Sequence, residues 1–231
     1  MRVSVAFSPA TVVADGVCAV IVDVLRATTT LTVALANGAR AVIPTATPEQ
    51  ALALRAAWPG TLACGERNGR IVPGFDLGNS PAEYTADRVG GRTLAFASTN
   101  GSLALLAAAR AKRRVLAAFV NASAVVASIR REPRVTMVCA GKLGGFSLED
   151  AACAGLLLSR LVAQGAAPDG ASARLALAIA PRDAGEVRAL IEGAAHARDL
   201  VSMGAAYARD LDLCAGLDTL DRAFELPPAG A

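Results

Sequence analysis

Short apolar runs followed by helical patterns constrain the fold of this chain more than any other sequence feature. The runs are mostly apolar without a polar alternation, each leads into a small polar or glycine-containing loop, and they lie at 17–22, 40–43, 61–64, 93–97, 114–120 and 135–139. Strands covered by helices on both faces have this composition, because neither face meets water. The pattern therefore predicts an α/β fold with a mostly parallel sheet, or sheets, covered by helices.

The last third of the chain has a different pattern. Helical periodicity dominates from Ser147 to about Leu213, so we expect a helical C-terminal third, with residues 226–231 as a frayed tail. No linker is strong enough to force a division of the chain. We expect one unit spanning residues 1–231, with a soft division near 110–115 between two α/β halves.

The charge of the chain is small and scattered, which excludes one class of partner. The formal net charge is +3, from 23 Lys and Arg against 20 Asp and Glu, and only Lys112 and Lys142 are lysines. Nucleic-acid binding normally needs a clustered basic surface, so we expect none. Arginine suits bidentate recognition of phosphate, sulfonate or carboxylate, although a coding preference for Arg explains its abundance at least as well.

Cysteine use and hydropathy indicate a cytoplasmic protein. The five cysteines are scattered, with no CxxC pair and no metal-ligand spacing, and the N-terminus alternates like a strand instead of forming an apolar signal sequence. No stretch of about 18 residues is both apolar and uncharged, so we expect no membrane span.

Polar residues come directly after several predicted strands and precede helices: Asp23, 98–101, Asn121 and 141–142. The carboxyl ends of parallel strands share one edge of a sheet, and free N–H groups at helix starts attract anions. Taken singly, each loop is better explained by an ordinary helix cap. Taken together, with an Asp and an Arg among them, the loops predict an anion-binding site.

Asp23 and Arg26 are the central pair of this expected site. A carboxylate at a buried strand end is costly to desolvate unless it is paired or binds a cation. Mg²⁺ commonly takes one or two carboxylates together with phosphate oxygens, and Arg26 can hold the same phosphate. A local Asp23–Arg26 ion pair that caps the helix is an equally good interpretation of the spacing.

The densest polar stretch lies at 65–81 and combines acids, arginines and glycines. Ser80 and Glu83 fit a capping box with proline at the first helical position, which indicates a structural role. A solvated loop is as good an explanation of the other charged residues as a ligand site. These remaining candidates are Glu66, Arg67 and Asp76.

The loop at 144–150 supplies a further acid. Ser147 and Asp150 fit a second capping box, which leaves Glu149 as the freer carboxylate. Lys142, just before this loop, is either a phosphate contact or a solvated charge.

His196 is the only histidine, and it lies in an Ala-rich helical segment. We expect it at the surface or at a helix cap, away from the strand-end loops. A single histidine disfavours His-based zinc sites and phosphohistidine chemistry. No Walker loop, GxGxxG or GxSxG occurs, and residues 23–25 lack the second Asp of the haloacid dehalogenase signature.

In order along the chain, these loops resemble the 2-phosphosulfolactate phosphatase family. The matching segments are VDVLRATTT (22–30), GERNG (65–69), GFDLGNSP (74–81), STNG (98–101), CAG (139–141), FSLED (146–150) and CAG (153–155). The resemblance implies a family-specific α/β fold. It also implies Mg²⁺-dependent hydrolysis of (R)-2-phospho-3-sulfolactate to sulfolactate and phosphate, a step toward coenzyme M.

We assign roles to individual residues from their chemistry. Asp23, Arg26 and Glu66 are the expected catalytic residues, and Asp23, Asp76 and Glu149 are the expected Mg²⁺ ligands. The expected substrate contacts are Thr28, Thr29, Arg67, Asn79, Ser98, Thr99, Asn100, Gly101 and Lys142. Attack by water and covalent attack by Asp23 are both open.

Two other functions fit the same residues. One is a phosphatase of another small 2-phospho acid, and the other is a non-catalytic protein that senses an anionic metabolite. The acids in the expected ligand loops favour an enzyme over the sensor. The partner in each case is a small anionic molecule, and the apolar, Ala-rich helices are compatible with a homodimer.

Overall fold

The computed structural model describes residues 1–12 and 15–227 and confirms the predicted α/β class. The strands are β1 (Arg2–Ala6), β2 (Cys18–Val22), β3 (Ala41–Pro44), β4 (Thr61–Arg67), β5 (Arg70–Ile71), β6 (Thr93–Ala97), β7 (Arg113–Ala117), β8 (Arg134–Cys139), β9 (Ala167–Asp169) and β10 (Phe224–Leu226). The α-helices are α1 (Ala27–Ala36), α2 (Pro48–Ala57), α3 (Ala86–Val89), α4 (Gly101–Ala107), α5 (Ala122–Ile129), α6 (Leu148–Val162), α7 (Ala171–Ala178), α8 (Ala184–Gly193), α9 (Ala195–Ser202) and α10 (Ala205–Cys214).

The strands form two sheets. Six strands pair in the order β10-β7-β2-β8-β1-β9, and four pair in the order β3-β6-β4-β5. All pairs are parallel except β10 on β7 and β5 on β4, which are antiparallel. The prediction of mostly parallel strands is therefore confirmed.

Strand β2 shows why its apolar run is continuous. All five of its residues are buried, and it lies between β7 and β8. Val20 and Val22 belong to a core cluster that includes residues of α5 and α6, whereas Ile21 belongs to a second cluster with residues of α1 and α4. Both faces of the strand are thus covered by helices, as expected for a run without polar alternation.

Helices α1 and α4 form a layer between the two sheets. Leu31 of α1 and Leu105 of α4 lie in the same buried cluster as Ile21 of the first sheet and Phe96 of the second. Helix α4 also contacts both β2 and β3. This layer fixes the loops that follow β2 and β6 relative to one another.

The structure differs from the sequence-based expectations at several element ends. The run predicted as a strand at 114–120 leaves β7 at Ala117, because Asn121 turns the chain into a short 3₁₀ helix by accepting a hydrogen bond from the Ala118 N–H at 3.0 Å. Strands β5, β9 and β10 were not predicted, since two or three residues are too few to show a period.

The capping box predicted at Ser80 and Glu83 is not formed. Pro81–Glu83 is a 3₁₀ helix without a side-chain cap, and the Ser80 hydroxyl instead donates to Asp210 at 2.5 Å. The Glu83 carboxylate accepts from the Gly78 N–H at 2.9 Å. The Ser147 cap does form, since its hydroxyl accepts from the Asp150 N–H.

The C-terminal third is mainly helical, as predicted, with α6 to α10 in succession. Leu226 of the expected frayed tail belongs to β10, and residues 228–231 of that tail lie outside the described residues. Within the described ranges, no helix combines the length and apolar character needed to cross a membrane. The division near 110–115 stays a prediction; β7 begins there and pairs with β2.

Candidate active site

A cavity of about 190 Å³ lies where strand-end loops meet the C-terminal helices. Its lining comes from loops after β2, β5, β6 and β8, from the β4–β5 hairpin, and from α9 and the residue that follows it. The residues are Asp23, Leu25, Arg26, Glu66, Asn68, Gly69, Asn79, Thr99, Asn100, Lys142, Leu143, His196, Asp199, Leu200 and Met203. The structure thus brings together most of the polar loops singled out in the sequence.

Asp23 is a buried acid whose side chain lines this cavity. It follows β2 directly and is 6% exposed. Its Oδ1 accepts a hydrogen bond from the Ala27 N–H at 3.2 Å, while Oδ2 accepts none from any residue in the described ranges. Burial raises the pKa of Asp23 to about 6, with nearby His196 and the Ala27 N–H opposing the rise and Glu66 and Glu149 adding to it.

The approach of α4 to Asp23 requires a glycine at position 101. A Cβ atom at Gly101 would lie 2.4 Å from the Ala27 Cβ and 2.6 Å from the Asp23 Oδ2. Both distances are below van der Waals contact. Gly101 therefore lets the loop after β6 close against the Asp23 carboxylate.

Glu66, on β4, holds the walls of the cavity together. Its two carboxylate oxygens accept from the Gly69 N–H at 2.7 Å, from the Thr99 N–H at 2.6 Å and from the Thr99 hydroxyl at 3.0 Å. These bonds tie the β4–β5 hairpin to the loop after β6. Glu66 thus fixes Thr99 in place beside Asp23.

Arg26 lies at the start of α1 and is 4% exposed. It does not pair with Asp23. Its guanidinium donates to Asp210 Oδ2 at 2.6 Å and to the Gly69 carbonyl oxygen at 2.9 Å, and lies 5.2 Å from the ring centre of Tyr207. The Leu25–Arg26 peptide bond is cis. The spacing allowed a local ion pair between Asp23 and Arg26. Arg26 instead pairs with Asp210 of α10.

Four of the expected substrate contacts line the cavity: Asn79, Thr99, Asn100 and Lys142. The Asn79 Oδ1 is buried and accepts no hydrogen bond within the part of the chain described. The Asn100 Oδ1 accepts from the Leu143 N–H at 2.9 Å, and Lys142 forms an ion pair with Asp199.

Thr28 and Thr29 are fully buried and do not line the cavity. The Thr28 hydroxyl oxygen lies 2.7 Å from Ala117 O and 2.8 Å from Asp23 O, which share its single O–H, and it accepts from the Asp23 N–H at 2.9 Å. The Thr29 hydroxyl donates to Val24 O at 2.8 Å. These threonines hold the loop that presents Asp23, and direct contact with a substrate does not fit their positions.

Ser98 and Arg67 also lie outside the cavity lining. The Ser98 hydroxyl accepts from the Ser102 N–H at 2.9 Å, which closes the first turn of α4. Arg67 donates to the carbonyl oxygens of Glu66 at 2.9 Å and Ala46 at 3.1 Å.

The structure does not bring Asp76 to the cavity. Its Oδ2 accepts from the Ala63 N–H at 2.8 Å and lies 3.3 Å from Arg55, so this acid secures the loop that follows β5. Sequence spacing could not reveal this, because a loop acid can face either side of the strand that it borders.

Glu149 lines a neighbouring cavity that shares Lys142 and His196 with the first. Its Oε1 is buried and has no hydrogen-bond donor in the described ranges, although His196 Nδ1 lies 3.3 Å away, within ion-pair distance. Burial raises the pKa of Glu149, but His196 and the helix-start hydrogen bonds outweigh burial and hold it below its usual value.

The neighbouring Asp150 is a structural acid. It accepts from the Val24 N–H at 2.8 Å and the Gly141 N–H at 3.1 Å. Burial, together with the charges of Asp23 and Glu149, raises its pKa well above the ordinary value. Asp150 thus joins the start of α6 to the loops after β2 and β8.

The expectation for His196 was wrong. It is a half-buried cavity residue that faces Glu149, because α9 folds back over the strand ends. Asp199, Leu200 and Met203 line the same cavity at positions three, four and seven residues after His196. This spacing is one face of a helix, and it is the sequence signal that could have identified them.

The carboxylate oxygens near the cavity suit a cation that needs few protein ligands. The described residues contain no group of three or more His, Cys, Asp or Glu side chains arranged to hold a metal. Mg²⁺ needs no such group, since it keeps several waters and substrate oxygens. Asp23 Oδ2 and Glu149 Oε1 belong to buried acids near the cavity and accept no hydrogen bond from the described residues. They are the candidates to hold it.

Comparisons with known proteins show the family to which the chain is similar. Residues 6–226 match the family described as 2-phosphosulpholactate phosphatase. Three relatives each carry the name "Probable 2-phosphosulfolactate phosphatase". The protein from Thermotoga petrophila is 38% identical over 85% of this chain and 83% of its own length. That from Deinococcus radiodurans is 40% identical over 87% and 84%, and that from Gloeobacter violaceus is 42% identical over 95% and 93%.

The match covers nearly the whole chain, and its ends enclose every residue that lines the cavity. The chain belongs to the 2-phosphosulpholactate phosphatase family.

Proposed function

We propose that this protein is a Mg²⁺-dependent phosphatase that hydrolyses (R)-2-phospho-3-sulfolactate to (R)-3-sulfolactate and phosphate, a step of coenzyme M biosynthesis. The family and the names of its relatives support a phosphoric monoester hydrolase. The observation that carries the proposal is Asp23, a buried acid with one unpaired oxygen at the end of the central strand, in a cavity lined by hydrogen-bond donors.

The charges near the cavity support a requirement for a cation. Asp23, Glu66 and Glu149 are buried acids, whereas Lys142 already pairs with Asp199 and Arg26 with another acid. An anionic phosphoester would meet net negative charge here. Asp23 Oδ2 would hold Mg²⁺, with Glu149 Oε1 contributing directly or through water; when bound, the ion offsets charge on the phosphoryl oxygens.

Neutral and cationic donors orient the substrate. Asn79 and Asn100 line the cavity together with Arg26, and the N–H groups of these side chains are proposed to bind phosphoryl oxygens, whereas both donors of Thr99 already bond to Glu66. Lys142 lies in the loop after β8, where its ammonium can exchange its partner Asp199 for the carboxylate or sulfonate of the substrate. Glu66 acts by holding Thr99.

Water is the proposed nucleophile, and one of the buried carboxylates near the cavity is proposed to receive its proton. Single turnover in ¹⁸O-water tests the step. The label should appear in phosphate and not in the Asp23 carboxylate; label in Asp23 would establish covalent attack instead.

A phosphate-release assay over a panel of 2-phospho acids, with Mg²⁺ or with a chelator, tests the function. Phosphosulfolactate should be the best substrate, and chelation should abolish turnover. Asp23→Asn should lose at least about 100-fold in kcat. Asp76→Asn is the matched control outside the cavity and should retain activity. No turnover on any member despite tight binding would indicate a metabolite sensor.

Two further expectations accompany this function. All five cysteines are free and buried, which supports a cytoplasmic location. A homodimer stays a prediction from the sequence.

A further inference from the structure

We propose that Asp210, on α10, is a positioning residue that holds the Arg26 guanidinium in place for the phosphoryl group. The inference rests on the proposed function, in which Arg26 binds phosphoryl oxygens. Neither the sequence motifs nor the strand-end loops point to Asp210, which lies 184 residues after Arg26.

Both carboxylate oxygens of Asp210 accept a hydrogen bond from a side chain. Asp210 is 1% exposed, and its Oδ2 accepts from Arg26 at 2.6 Å. Its Oδ1 accepts from the Ser80 hydroxyl at 2.5 Å. A buried carboxylate must be paired and hydrogen-bonded to be tolerated, and both oxygens of Asp210 meet that condition.

The partner guanidinium is fixed on three sides. Asp210 holds one nitrogen, the Gly69 carbonyl oxygen accepts from the other terminal nitrogen at 2.9 Å, and the Tyr207 ring lies 5.2 Å from the guanidinium carbon. A guanidinium has five N–H groups, so donors remain for a ligand. Arg26 also lines the cavity that contains Asp23.

This arrangement joins α10 to the start of α1 through the pair between Asp210 and Arg26. Arg26 has several rotatable bonds, and a free side chain would lose rotamer freedom on binding phosphate. Asp210, Gly69 and Tyr207 fix that side chain before the substrate arrives. The helix thereby contributes to phosphoryl binding through Arg26, without itself touching the substrate.

A double-mutant cycle in kcat/KM tests the inference. Arg26→Gln should lower kcat/KM about 100-fold, and Asp210→Asn, which keeps the shape and one acceptor, should lower it about 10-fold. In the Arg26→Gln background, Asp210→Asn should add less than about 2-fold, because a residue that acts only through Arg26 has nothing left to position. Equal effects in both backgrounds would overturn the proposal.

A milder variant and a matched control distinguish a specific effect of Asp210 from a general loss of folded protein. Ser80→Ala removes only one hydrogen bond to Asp210 and should cause a smaller loss that also disappears with Arg26→Gln. Asp212→Asn lies on the same helix, in an exposed ion pair with Arg188, and should leave kcat/KM unchanged. Circular dichroism establishes that each variant is folded. A loss in Asp212→Asn as large as in Asp210→Asn would refute a specific role for Asp210.

Calorimetric binding of inorganic phosphate separates this inference from the proposed function. The same cycle, read as phosphate affinity in the presence of Mg²⁺, should show the same lack of additivity even if no ester is hydrolysed. Phosphate binding without turnover would reject the phosphatase and retain the positioning role. Phosphate binding unaffected by Arg26→Gln, or absent from the unmodified protein, would reject the positioning role.

Discussion

Burial decides the chemistry of Asp23. The same side chain in a solvated loop would be an ordinary acid, but here it follows a fully buried strand and keeps one oxygen without a donor in the described structure. Its desolvation raises the cost of its charge. That cost is the physical reason for the raised pKa, and a bound cation would remove it.

The first prediction concerns stability without metal. Since the pKa of Asp23 rises from 3.8 unfolded to about 6 folded, the folded state binds the proton more tightly, and stability is lost as pH rises through this window. With a chelator present, Asp23→Asn should therefore gain roughly 3 kcal/mol of unfolding free energy at pH 8, relative to the wild-type protein, and much less at pH 4. Urea unfolding at both pH values measures this difference.

Asp212→Asn is the control for that measurement. The Asp212 side chain is exposed, so its replacement should change stability by less than about 0.5 kcal/mol at either pH. An equal gain for Asp23→Asn at pH 4 and pH 8 would show that burial of the charge is not the cause.

The second prediction concerns Gly101. Gly101→Ala places a methyl group 2.6 Å from the Asp23 Oδ2, so the carboxylate or α4 must move. We expect a loss of about 100-fold in kcat, together with about 1–3 kcal/mol of stability. Gly193→Ala is the matched helix substitution, since its Cβ would meet nothing within 4 Å, and it should keep full activity. An unchanged kcat in Gly101→Ala would show that catalysis does not need the close approach of α4 to the Asp23 carboxylate.

At the scale of elements, the start of α6 is joined to the site by Asp150. Its carboxylate accepts from the N–H groups of Val24 and Gly141, which belong to the loops after β2 and β8. Both loops border the cavity. The helix therefore fixes the main chain on either side of Asp23, while Glu149, one residue earlier, faces the other cavity.

The third prediction follows from these bonds. Asp150→Ala leaves two buried N–H groups unpaired, at about 1–3 kcal/mol each, so it should destabilise the protein by about 2–6 kcal/mol. Ser147→Ala removes only the helix cap and should cost about 1 kcal/mol. Urea unfolding compares the two variants. Equal losses would mean that Asp150 acts as a cap partner, as its sequence spacing suggested, and not as a link between loops.

Elements with a clear period were predictable, and contacts between distant elements were not. The apolar runs place β2, β6 and β8 within one residue of their observed ends, because both faces of these strands must be apolar. Polar loops after strands identified Asp23 and Thr99. His196 and Asp210 were missed, since only the packing of α9 and α10 brings His196 to the cavity and Asp210 to Arg26.

At the scale of the whole molecule, the site is formed at the meeting of three parts. The first sheet supplies Asp23, the second sheet supplies Glu66 and Thr99, and the C-terminal helices supply His196 and the partner of Arg26. Acids from all three parts lie near one another. Folding therefore brings negative charges together, and a ligand that neutralises them should stabilise the entire fold.

The fourth prediction is that Mg²⁺ raises the melting temperature in a pH-dependent way. At an ion concentration about 100 times the Kd, binding adds about 2.7 kcal/mol, which for a chain of this size corresponds to roughly 5–10 °C. The ion requires the deprotonated carboxylate, so protons compete below the Asp23 pKa of about 6. The gain should be full at pH 7.5 and should shrink at pH 5.

Differential scanning calorimetry with Mg²⁺ and with a chelator measures this gain. Asp23→Asn should abolish it at both pH values, whereas Asp76→Asn should preserve it, because Asp76 is held by Ala63 and Arg55 away from the cavity. If the Mg²⁺-dependent rise in melting temperature persists in Asp23→Asn but disappears in Asp76→Asn, the cation binds at the loop after β5 instead. A gain independent of pH would show that the carboxylate which titrates near pH 6 is not the one that binds the ion.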